Sequence, residues 1–73
     1  MLVSELQVGQ NVTACFWWNN YNGDEYSIIR GTVIKTLPCY GSAQVAIEEN
    51  VFGPYNRVTA LLSNKAEIIS INN

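Results

Sequence analysis

The 73-residue chain holds two cysteines, six carboxylates, four basic side chains and no histidine. Without an imidazole, neither a Ser-His-Asp nor a Cys-His arrangement can form within one chain. Cys15 and Cys39 allow at most one disulfide, are not spaced as a CxxC pair, and are too few to ligate a structural zinc. They read as two free thiols of a reducing compartment. Asp24-Glu25 and Glu48-Glu49 are the two carboxylate pairs. On a strand, neighbours point to opposite faces, so neither pair converges and solvation accounts for both. An enzyme would need a site assembled across an oligomer axis, and the expectation is no enzyme, no metal and no cofactor.

The densest group of functional side chains is the stretch CFWWNNYNGDEY, Cys15 to Tyr26. Alternation sends Phe16 and Trp18 to one face and Trp17 to the other. Phe16 reads as core and Trp18 as a cap on it. An outward Trp17, beside Ile28 and diagonal to Arg30, needs cover from a loop, a terminus or another molecule. Tyr21, Tyr26, Tyr40 and Tyr55 fall in or beside turns, where a ring can cap the core with its hydroxyl wet, or line a recognition pocket.

Strands must position these rings. Val12, Ala14, Phe16 and Trp18 share a face, and Asn22-Gly23 is a strong signal for a tight hairpin turn. A two-residue turn there pairs Tyr21 with Asp24, Asn19 with Tyr26, Phe16 with Ile29, Ala14 with Gly31 and Val12 with Val33. A second strand ends at Pro38. A loop of Cys39, Tyr40 and Gly41, with Gly41 left-handed, pairs Leu37 with Ala43, Lys35 with Val45 and Val33 with Ile47. RVTALLS is a strand or a short helical turn, and AEIISI is a last strand. No stretch carries a long helical stripe. The chain therefore reads as one all-β domain over residues 1–73, a small, strongly bent, five-stranded antiparallel barrel whose closure would hide its sheet edges.

The opening Val8-Gly9-x-x-Val12 and the later Gly31-x-Val33 resemble the SH3-like barrels of the Tudor and chromo type, over about Val8 to Ile69. That resemblance implies an aromatic cage for methylated lysine or arginine, or a peptide-docking surface. Trp18, Tyr21 and Tyr40 are the cage candidates by position.

Net charge is -2, and only 14% of residues are charged against 48% apolar. Such a surface is expected to be partly covered by another chain, a homo-oligomer included. The dispersed Arg30, Lys35, Arg57 and Lys65 give no phosphate-binding footprint. Stacking of a single strand on Trp17, Tyr21 and Tyr26 near Arg30 stays an alternative. The start MLVSELQVGQ lacks a basic region and a long apolar stretch, and no run reaches membrane-span length, so a cytoplasmic, membrane-free setting is expected. The function expected is a non-enzymatic protein-interaction domain, an inhibitor or accessory subunit. Its contact residues are Trp17, Trp18, Tyr21, Asp24, Glu25, Tyr26, Ile28, Arg30 and Tyr40. A pI near 4.7 favours a partner with a basic surface. A structural homo-oligomer is the third reading.

Overall fold

The computed structural model describes residues 1–21 and 23–72. Five strands, β1 (Asn11–Asn20), β2 (Gly23–Leu37), β3 (Ser42–Phe52), β4 (Thr59–Leu62) and β5 (Glu67–Ile71), form one antiparallel sheet in the order β4-β3-β2-β1-β5. Among the described residues the only helical pieces are the 3-10 turns Val3–Glu5 and Pro38–Tyr40. The all-β, five-stranded, bent architecture matches the reading of the sequence, and the ambiguous RVTALLS segment supplies strand β4.

Burial along β2 alternates through its middle, as a half-buried strand requires. Val12, Ala14 and Phe16 of β1 meet Ile29 and Val33 of β2, Ala43 and Val45 of β3, and Ala60 and Leu62 of β4. Val3 and Leu6, from the first 3-10 turn and its cap, complete this core. Phe16 and Ile29 point to the same side, as expected.

The hairpin register differs from expectation. Asn20 pairs with Gly23, Phe16 with Ser27, Ala14 with Ile29 and Val12 with Gly31. The connection is therefore residues 21 and 22. Asn22, half of the expected turn, lies outside the described residues. A slip of two leaves every side chain on its face, so the inward and outward sets survive the correction. Both registers put Ser27 beside Trp18, and the observed one also puts Asp24 opposite Asn19. Trp18 Nε1–H donates to Ser27 Oγ at 2.9 Å, and Asn19 Nδ2 donates to its opposite number Asp24 at 3.1 Å. A half-buried indole N–H without an acceptor is costly.

The second hairpin is corrected too. Its connection takes four residues, Pro38 to Gly41, with Gly41 left-handed as expected (φ 65°). Leu37 then pairs with Ser42, Thr36 with Ala43 and Lys35 with Gln44. A bulge at Ile34 shifts the ladder, and Val33 meets Val45 on the core side. Two further shifts follow, between Arg30 and Gly31 and between Ile28 and Ile29. Bulges bend and twist a strand. Gly31 marks a tight point of the bend, because a Cβ there would collide with the Ala46 carbonyl oxygen.

The two ends of the sheet order also have to approach each other. In a flat sheet β4 and β5 would lie about 19 Å apart, at about 4.8 Å per strand. Yet they are joined by a single turn closed by Ala66 N–H donating to Ser63 O at 3.1 Å, and such a turn spans less than about 7 Å. The sheet must curl around its core. No ladder joins β4 to β5 among the described residues, so the curl stops short of the full closure expected.

Candidate functional site

Outward residues of β1 are Thr13, Cys15, Trp17 and Asn19, and those of β2 are Asp24, Tyr26, Ile28, Arg30 and Thr32. The register places Tyr26, not Ile28, opposite Trp17. The two rings meet edge-to-face at 5.3 Å. Tyr26 in turn meets Phe52 of β3 at 6.2 Å, and Phe52 lies opposite Ile28. No loop or terminus covers this row among the described residues: Trp17 is 68% exposed and Phe52 58%.

Beneath the rings lies Cys15, buried although its side chain is on the outer face. Its thiol contacts a Glu67 carboxylate oxygen on β5 at 3.6 Å. The Tyr26 hydroxyl is pushed above the usual phenol value, first by its interaction with the Cys15 thiol and then by burial, with the negative charge of Glu67 adding to it. Cys39 is a free thiol on the exposed second turn.

Arg30 does not stack on Trp17. It lies opposite Thr13, and its guanidinium is gripped by Glu49 at 3.1 Å and Glu48 at 3.0 Å. These contacts, the Glu49 hydrogen bond first, raise its pKa. Glu48 and Glu49 were expected on opposite faces. The bulge beside Gly31 leaves Glu48 unpaired in the ladder and turns both carboxylates to Arg30. The Glu48 carboxyl is held below its ordinary value, chiefly because the Thr32 hydroxyl donates to it at 2.6 Å, with Asn11 and Arg30 contributing. The outer face thus has an aromatic end and a polar end.

The remaining predicted residues scatter. Tyr21 is fully exposed on the first turn, and Tyr40 is exposed on the second. They flank opposite ends of the fifteen-residue strand β2, so Trp18, Tyr21 and Tyr40 form no cage. Asp24 is exposed and holds Asn19, while Glu25 is half-buried opposite Trp18. Trp18 caps the inner face, meeting Tyr55 edge-to-face at 4.9 Å, and Phe16 meets the same ring at 5.1 Å. These three rings, with Trp17, Asn19, Arg57 and Leu61, line an open cleft of about 210 Å³.

Phe52 and Arg57 were missed as site residues. A row of β-branched and aromatic residues in ENVFG signals a strand, but only the pairing with Ile28 brings Phe52 beside Tyr26. Among the described residues no three of His, Cys, Asp and Glu gather to hold a metal, and no helix is long and apolar enough to cross a membrane. No protein-family model, curated protein or solved structure matches the chain.

Proposed function

We propose that the protein is a non-enzymatic interaction domain that docks a protein partner bearing a basic surface, as an inhibitor or accessory subunit. The observation that carries this reading is the row of exposed Trp17, half-buried Tyr26 and exposed Phe52 on a preformed sheet. Large rings bury much area at little entropic cost and dominate interface energies. Charge supports the choice of partner. Asp24, Glu48, Glu49 and Glu67 share the outer face with two cations, Arg30, which is already neutralised, and Lys35, opposite Gln44. Four carboxylates against these two cations disfavour the single-strand nucleic-acid alternative, which would need an excess of cations for phosphates. The SH3-like reading stays within the proposal and rests on Val8, Gly9, Val12, Gly31 and Val33.

The test is capture from the native host followed by titration of the purified partner against wild type, Trp17→Ala and Phe52→Ala. The expected result is at least about 30-fold weaker binding for Trp17→Ala, as for a hot-spot aromatic worth about 2 kcal/mol, with an unchanged urea midpoint. Equal binding by a folded Trp17→Ala overturns the assignment. So does a fixed homo-oligomeric mass, with the Trp17 indole already shielded before any partner is added.

A further inference from the structure

The cleft beside Tyr55 takes side chains from both faces of β1, and its charge is opposite to that of the outer face. Its walls are held in place: Trp18 by its bond to Ser27, and Tyr55 by its hydroxyl donating to Thr59 O at 2.6 Å and its carbonyl accepting from Asn50 Nδ2. Rigid walls reduce the ordering cost of binding. Arg57 stands exposed at the rim and forms no ion pair among the described residues. Its positive charge reaches the Tyr55 hydroxyl, where it opposes the upward push of burial. Of the site cations, Arg30 is committed to two carboxylates and Arg57 to none. Volume narrows the ligand further. About 210 Å³ is below the roughly 300–1,000 Å³ of pockets for drug-sized molecules, and it suits one side chain. A phosphate would bring a second charge and a tighter hydration shell against four aromatic walls, at a higher desolvation cost.

We infer that this cleft is a second recognition site, for a peptide that presents a carboxylate directly beside an apolar side chain. The apolar group packs against Phe16, Trp18 and Tyr55, and the carboxylate pairs with the Arg57 guanidinium. The carboxylate comes either from a chain end or from an internal acidic residue. Three probes separate these sources: N-acetyl-Gly-Leu with a free carboxylate, N-acetyl-Leu-Glu-amide, and the uncharged N-acetyl-Gly-Leu-amide. The readout is the NMR shift of the Trp18 Nε1–H and Arg57 Nε–H signals. At least one acid should saturate these shifts about tenfold more tightly than the neutral amide, the effect of one charge-assisted contact. Arg57→Gln should erase that difference, and Lys35→Gln, which removes an exposed cation away from the cleft, should keep it. Equal behaviour of acids and amide, no saturable shift with any probe, or full acid preference in Arg57→Gln overturns the inference. Saturation by an oligodeoxythymidine but by neither acid also overturns it.

Discussion

Single side chains divide into those that hold the sheet and those that it displays. Ser27 is fully buried and accepts from the Trp18 indole. Ser27→Ala should cost about 1–2 kcal/mol, because the indole N–H loses its partner in a half-buried site. The urea midpoint measures that cost. Trp17 is the opposite case: its exposed ring contacts Tyr26 alone among the described aromatic rings, so Trp17→Ala should change stability by less than about 0.5 kcal/mol. The carboxyl of Glu48 carries a pH signature. Its pKa in the folded chain lies below the ordinary 4.5, so its contribution is fully present above about pH 4.5 and is lost as pH falls through the depressed value. Glu48→Gln should lower the neutral plateau of a plot of urea midpoint against pH and flatten its acid limb. An acid limb identical to wild type would show that the contacts of Thr32, Asn11 and Arg30 do not favour the ionised form.

At the scale of strands, faces were legible and registers were not. Side-chain direction has a period of two, so Val12, Ala14 and Phe16 could be sent inward, and Trp17 outward, from alternation alone. Register depends on contacts that alternation does not carry. Asn20 pairs with Gly23, which moves the first hairpin by two, and alternation does not separate this register from the expected one, since both bring Trp18 and Ser27 together. The bulges at Ile34, Glu48 and Val51 have no marker in a single sequence, and they decide that Glu48 reaches Arg30 and that Phe52 joins Tyr26. The aromatic site was therefore half legible: Trp17, Tyr26 and Ile28 came from the strand pattern, whereas Phe52 required the β2–β3 pairing. Gly31 is a close-packing glycine, a role its place in the strand pattern does not mark. Gly31→Ala would drive a methyl into the Ala46 carbonyl and Val45 Cγ1. It should cost about 3 kcal/mol or more, a large share of the roughly 4–10 kcal/mol expected for a chain of this size. Loss of dispersed amide signals or a collapse of the urea midpoint would register it, and near-wild-type stability would mean that β2 and β3 do not pass so closely.

For the molecule as a whole, the question is what makes the sheet curl. Two causes are available: the short 63–66 connection between its outer strands, and the bulges with Gly31 inside β2 and β3. The bulges act in the strands themselves, and the core they enclose is fully buried at Val12, Ile29, Val33, Val45 and Leu62. The connection is an exposed turn at Ser63, Asn64 and Lys65. If the curl is built into the strands, lengthening the turn only enlarges a loop whose ends are already near each other. Loop-closure entropy then rises by about 0.6 kcal/mol for each doubling of length. Inserting four Gly/Ser residues after Asn64 should therefore lower stability by about that amount. The slope of the urea transition should stay unchanged, because the same surface is exposed on unfolding. If the turn is instead what draws β5 toward β4, the longer loop lets the edges part. Ile68 and Ile71, which pack on the core from β5, would then lose their cover. Amide exchange along β5 would quicken selectively, and the stability loss would exceed the loop term several-fold. Unchanged exchange in β5 with a loss of about 0.6 kcal/mol assigns the curl to the bulged strands, and with it the fixed spacing of Trp17, Tyr26 and Phe52 on the outer face.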